Sequence, residues 1–153
     1  MNTANKWLIG VTSAGLIAAA SMWEGTSYVA YEDVAGVLTV CQGYAQPDVV
    51  RGRIYTAAEC SDMLKTQLAA HGAAVLRCAT VPLSPHEYDA YTLFAYNVGG
   101  AAFCGSSLLH KLNAGDHAGA CNGLLAWDMA GGKRVAGLAN RRRAERNICV
   151  GGA

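Results

Sequence analysis

Residues 23–43 read WEGTSYVAYEDVAGVLTVCQG, from Trp23 to Gly43, and three side chains in this stretch stand out chemically. Glu24 lies between Trp23 and Gly25 at the end of an apolar segment, Asp33 follows nine positions later, and Thr39 six after that. Gly25 suits the end of a helix, because a left-handed cap costs glycine little. Tyr28–Tyr31 and Val37–Cys41 have the character of short strands, with a turn from Asp33 to Gly36. A carboxylate at a helix C-terminus meets the negative end of the dipole, and Trp23 beside it adds desolvation. Both effects disfavour ionisation, which is what a general acid needs. A helix end, a strand and a turn can bring Glu24 and Asp33 to face each other across a cleft. The period of two places Val37, Thr39 and Cys41 on one strand face and Leu38 and Val40 on the other. A threonine hydroxyl on the Asp33 side could then hold a water. On these residues alone plainer roles weigh more: an interfacial charge, a turn former and a strand filler.

Upstream, Lys6 is followed by seventeen uncharged residues, Trp7 to Trp23. A helix of that length spans about 25 Å, short of the roughly 30 Å hydrocarbon core. Nine of the seventeen are Gly, Ala, Ser or Thr, so any hold on a bilayer is marginal. Three fates compete: a signal peptide cleaved near Ala18-Ala19-Ala20, a permanent anchor, or an exported anchor that later leaves the membrane and folds into the domain.

Downstream, Thr56-Ala57-Ala58-Glu59 and Ser84-Pro85-His86-Glu87 are capping boxes. They open helices expected to run to about Arg77 and about Val98. The second is apolar on most faces, as a central buried helix is, and Gly99-Gly100 stops it. Short helices fit Ser107–Asn113, Asp116–Trp127 and Asn140–Val150. The layout is α+β and mostly α, within one domain or two small lobes. With 52% hydrophobic and 15% charged residues the chain is neither disordered nor a polytopic membrane protein. A net charge of +1 excludes a global field for nucleic acid, and no nucleic-acid partner is expected. Six basic residues do gather between Lys133 and Arg146 against the single acid Glu145, a pattern that most simply forms a solvated helix face.

Cys41, Cys60, Cys78, Cys104, Cys121 and Cys149 are widely spaced and even in number. They point to three disulfides in an oxidising compartment, with 15 pairings open. His71, His86, His110 and His117 have no metal-binding spacing.

The motifs Trp23-Glu24-Gly25, Tyr31-Glu32-Asp33 and Gly36 to Cys41 with Gly43 resemble the signature of phage-type lysozymes, glycoside hydrolase family 24. The Glu–Asp–Thr spacing of that family is reproduced by Glu24, Asp33 and Thr39. The resemblance continues through Tyr55–Cys60, Val81–Leu83, Tyr88–Ala90, Phe94–Gly99, Leu108–Asp116 and Asn140–Cys149. Within the family, the chain is most similar to endolysins with an N-terminal signal-anchor-release segment. It implies a bilobal fold, with a small hairpin lobe, a helical lobe and a cleft. It further implies a peptidoglycan muramidase in which Glu24 is the acid, Asp33 and Thr39 activate water, and Arg141 pairs with the glutamate. The same resemblance implies that no metal or cofactor is needed. Tyr44 departs from the pattern, standing where many relatives have histidine, and Cys78 and Cys104 are not present in every relative. With those lobes, the expected bridges are Cys41–Cys60 in the small lobe and Cys78–Cys104 and Cys121–Cys149 in the helical one.

On this reading residues 1–23 are the release segment and first helix, and residues 24–153 the catalytic domain. Cleavage after Ala20 would leave Glu24 without a helix to orient it, so an uncleaved segment is expected. The protein would be exported, tethered to the inner membrane through residues 7–23, then released to the periplasm as a monomer. Rival readings are an ordinary secreted lysozyme, a non-catalytic peptidoglycan-binding module and a permanently anchored structural protein.

Overall fold

The computed structural model describes residues 1–152. The chain divides into a hairpin unit, Thr12–Leu68, and a helical unit made of Met1–Val11 with Ala69 onward. After a 3₁₀ helix, Thr3–Leu8, the elements run α1 (Ala14–Glu24), β1 (Ser27–Glu32), β2 (Leu38–Cys41), α2 (Ala57–Cys78), α3 (Pro85–Val98), α4 (Gly100–Cys104), α5 (Ser107–Asn113) and α6 (His117–Gly123). A 3₁₀ turn, Leu124–Ala126, then leads to β3 (Met129–Ala130), β4 (Lys133–Arg134) and α7 (Ala136–Cys149). Helices with two separate antiparallel hairpins make the fold α+β and mostly α, as the sequence implies.

In the hairpin unit, α1 starts where Ser13 Oγ accepts the Leu16 N–H at 2.9 Å, a side-chain N-cap. Leu16 and Ala20, one turn apart, are fully buried. β1 and β2 pair Tyr31 with Thr39 and Glu32 with Leu38, and a bulge shifts the register before Ser27 meets Cys41. Val29 bridges to Ile54, and the Tyr55 N–H donates to the Tyr28 carbonyl at 2.8 Å, so the chain returns along the outer edge of β1. The core is Val40, Cys41, Val49, Tyr55 and Cys60, and the Cys41–Cys60 disulfide runs through it. The expected capping box opens α2: the Thr56 N–H donates to Glu59 Oε2 at 2.8 Å, and the Glu59 N–H donates to Thr56 Oγ1 at 3.2 Å.

The helical unit is built around α3, in which every residue from Ala90 to Ala95 is buried. Ser84 and Glu87 close its capping box, with Pro85 in the first turn. Gly99, at φ 94°, ends α3 and lets α4 begin at once. Phe94 packs edge-on against Trp127 at 5.0 Å, and Cys78–Cys104 and Cys121–Cys149 staple the unit. All three pairings are those expected. The 3₁₀ helix belongs to this unit, and Leu8 lies in a core with Val75, Leu76, Ala79 and Leu83. Asn5 is fully buried; its Nδ2 donates to the Val81 carbonyl at 2.9 Å and its Oδ1 accepts the Leu83 N–H at 2.8 Å.

Several expectations change. Trp7–Trp23 is not one helix: the 3₁₀ turn ends at Leu8, Gly10 takes φ 72°, and the α-helix resumes only at Ala14. Among the described residues no helix is long and apolar enough to cross a membrane. The helix expected over Asp116–Trp127 ends at Gly123 and tightens into the 3₁₀ turn. The β3–β4 hairpin is an addition, and α7 starts four residues early. The late basic run is not a uniform solvated face, since Arg141 and Arg142 are buried around Glu145.

Candidate active site

Glu24, Asp33 and Thr39 all fall in the hairpin unit. Glu24 is the last residue of α1 and is exposed, while Trp23 before it is half-buried. The helix stops because Gly25 adopts φ 67°, ψ 176°, a region open in practice to glycine alone. The chain therefore turns sharply out of α1 and enters β1 two residues later.

Asp33 opens the β1–β2 turn. Its Oδ1 accepts two backbone N–H groups, Ala35 at 2.8 Å and Val37 at 2.9 Å. This is the aspartate turn motif, in which the side chain replaces a backbone acceptor. The Asp33 N–H donates to the Val37 carbonyl at 3.0 Å, and Gly36, at φ 76°, donates its N–H to the Asp33 carbonyl at 2.9 Å.

Thr39 is nearly fully buried, and its Oγ1 donates to that same Val37 carbonyl at 2.9 Å. Val37 is thus the joint between the two side chains: its N–H holds the carboxylate and its carbonyl holds the hydroxyl proton. With that proton committed, the Thr39 oxygen is oriented as an acceptor. Thr39, Val40 and Cys41 are all buried, so both faces of this part of β2 are covered.

The segment that follows α1 is tied to the hairpin by a contact that sequence reasoning missed. Gln42, buried just after β2, donates Nε2 to Thr26 Oγ1 at 3.0 Å. Thr26 is the second residue after Glu24. No spacing rule reveals this pair; only the closure of the hairpin brings it together. Tyr44, in place of the expected histidine, bonds Asp48 Oδ2 at 3.2 Å, and burial with that carboxylate holds its phenol above its ordinary pKa.

In the helical unit, Arg141 Nε donates to Glu145 Oε1 at 3.1 Å, and Arg142 Nη1 pairs with Glu145 Oε2 at 2.9 Å. Arg142 also bonds Asn97 and lies over the Phe94 ring. Burial lowers its pKa, partly countered by Glu145. Of the histidines, His86 and His110 are exposed, His117 bonds Glu87, and His71 meets Tyr96 edge-on. No cluster able to hold a metal ion occurs among the described residues.

A pair of carboxylates is what glycosidic hydrolysis generally employs. Comparison with known proteins supplies the family. The phage lysozyme family model matches residues 21–145, and the chain belongs to the phage lysozyme family. It is 45% identical over 125 residues to the SAR-endolysin of Escherichia phage Mu, covering 82% of this chain and 72% of that protein. It is 39% identical over 155 residues to the SAR-endolysin of Bacteriophage PS34, covering 95% and 93%. Among solved structures, the endolysin from Escherichia coli O157:H7 phage FAHEc1 aligns with TM-score 0.79 and 32% identity, over 90% of this chain and 92% of that one.

Proposed function

We propose that Glu24, Asp33 and Thr39 carry out the muramidase reaction on the β-1,4 bond between N-acetylmuramic acid and N-acetylglucosamine. Membership of the phage lysozyme family supplies the class: the chain is a glycoside hydrolase of the lysozyme type, an endolysin acting in host lysis. The observation that carries the residue roles is the double use of Val37, which fixes one carboxylate and one hydroxyl in the same turn. Glu24 protonates the leaving oxygen. Thr39 accepts a hydrogen bond from the attacking water, and Asp33 draws off its proton. A water between carboxylate and sugar gives inversion and asks for carboxyl groups about 6.5–9.5 Å apart. No metal or cofactor enters these steps.

The test is Glu24→Gln, which keeps shape and removes the acid. Clearing of purified cell walls should fall by about 10²–10⁴-fold with folding intact. Retained clearing would overturn the role of Glu24 as the acid, whereas no clearing by the parent protein would favour a peptidoglycan-binding role.

Residues 1–23 are read as the release segment, with 24–153 the catalytic domain. The protein is exported, held in the inner membrane by Trp7–Trp23 and released to the periplasm as a monomer when that hold fails, for example on depolarisation. Two findings support this: the relatives' names, and an α1 that draws on this apolar stretch and ends on Glu24. N-terminal sequencing of the soluble active enzyme checks it. A chain beginning at Ser21 would make an ordinary secreted lysozyme the better account.

A further inference from the structure

Val40 and Tyr44 exchange both backbone hydrogen bonds, at 2.9 and 2.8 Å, and so close a three-residue turn, Cys41-Gln42-Gly43, directly after the candidate threonine's strand. The turn needs a positive φ twice, 58° at Cys41 and 84° at Gly43. Glycine adopts this at no steric cost. Cys41 is the one non-glycine residue with positive φ among the described residues, and its Cβ opposes that conformation. Cys41 is also buried, lies two residues after Thr39 and faces Ser27 across the ladder. Its side chain is bonded to Cys60 in the first turns of α2. Gln42, at the middle of the turn, reaches back to Thr26 beside the end of α1. The turn therefore touches both sides of the candidate site: Thr39 through the chain, and the Glu24 helix end through Gln42.

We propose that Cys41–Cys60 is a positioning bond for the reaction as well as a staple. It holds residue 41 in the left-handed conformation on which the turn depends, and through the turn it sets Thr39 and the C-terminal end of α1. The inference rests on the assignment of Glu24 and Thr39 given above. A staple acting only on the unfolded chain would work equally well from many positions; this one grips the residue whose backbone is least content where it is. Without the bond, an L-residue at 41 relaxes toward negative φ, opens the Val40–Tyr44 pair and moves Thr39. A glycine at 41 has no such tendency.

Two full-length variants lacking the bridge separate conformation from cross-linking: C41A/C60A and C41G/C60A. In C41A/C60A, kcat on purified peptidoglycan should fall about ten-fold or more with KM little changed, as for a misplaced catalytic group. C41G/C60A should recover kcat to within about three-fold of the parent, although both variants lose similar thermal stability. Equal loss in both variants, or no loss in either, would overturn the proposal. If C41A/C60A does not fold, C41S/C60A takes its place against C41G/C60A and is read with the same outcomes. Glu24→Gln and Thr39→Val, made with the bridge intact, test the site assignment separately. If those two retain activity the assignment fails, whatever the cysteine variants do. If they lose it while C41A/C60A keeps its kcat, only the positioning role fails.

Discussion

Asp33 and Val37 are bonded to each other twice: the Asp33 N–H donates to the Val37 carbonyl at 3.0 Å, and the Val37 N–H donates to Asp33 Oδ1 at 2.9 Å. Asp33 is therefore a turn former and a candidate catalytic group at once, and two substitutions separate the roles. Asn keeps an oxygen for Ala35 and Val37 but cannot take a proton from water. Asp33→Asn should leave the unfolding midpoint nearly unchanged while wall hydrolysis drops by about 10²–10⁴-fold. Asp33→Ala should show the same catalytic loss and, in addition, about 1–2 kcal/mol of destabilisation from the two lost turn bonds. Denaturant titration beside a clearing assay reads both. Full activity in Asp33→Asn would leave only the turn role.

The buried Asn5 side chain serves one carbonyl and one N–H, Val81 and Leu83. Asn5→Ala leaves both without a partner and should cost about 2–4 kcal/mol in urea unfolding. Leu8→Ala, which opens a cavity in the same core, should cost about 2–5 kcal/mol. An unchanged midpoint in Asn5→Ala would show that water replaces the amide there.

The proposed release can be tested without disturbing the folded helix. Gly15 and Ala18 are exposed on α1, and a Cβ at Gly15 meets nothing nearer than Ser13 Oγ at 3.8 Å. Leucine at both positions adds about 1.5–3 kcal/mol of membrane hold per residue. G15L/A18L should remain in the membrane fraction and delay lysis, while detergent-extracted enzyme clears walls normally. Gly10 and Ser13 do not suit this purpose, one having positive φ and the other capping α1. Lysis on schedule would count against an anchored stage.

Burial holds His71 below its ordinary pKa of 6.5. Between that lowered value and 6.5 the unfolded chain binds more protons than the native one, so stability falls as pH drops through this window. Replacing His71 by Gln, which cannot titrate, should flatten this part of the profile. Unfolding midpoints at pH 7.5 and pH 5 for both proteins, compared as a difference, isolate the effect from carboxylates that titrate lower. Parallel profiles would refute it.

The sequence was most legible where a local rule ties side chain to backbone. The boxes at Thr56–Glu59 and Ser84–Glu87 set the starts of α2 and α3, because both partners lie within one turn. Glu24, Asp33 and Thr39 stand out as a candidate set only through the family resemblance, since on their own plainer roles weigh more; the hairpin unit holds all three. The first segment was not, because hydropathy does not distinguish a continuous apolar helix from one interrupted at Gly10. The decisive information lay in Asn5 and Leu8, whose partners come from distant residues. β3 and β4 escaped because two residues per strand show no alternation, although Gly131-Gly132 between them is a hairpin signal. The run around Arg141 and Arg142 reads as a solvated face, apart from the pairing of Arg141 that the resemblance implies, because sequence does not show that both are buried with the Glu145 carboxylate between them.

The Asn5–Leu83 bond spans 78 positions of chain. Closing so long a loop carries an entropic cost that only finished packing offsets, so contacts of this kind form late. The 3₁₀ segment should then be the last piece of its unit to settle and the first to fray. In hydrogen exchange, the amide of Leu83 would report that opening while the amides of α3 stay protected. Assembly of this unit thus ends with its earliest residues, which makes the arrival of the N-terminal segment a kinetic event distinct from the collapse of the helices it completes.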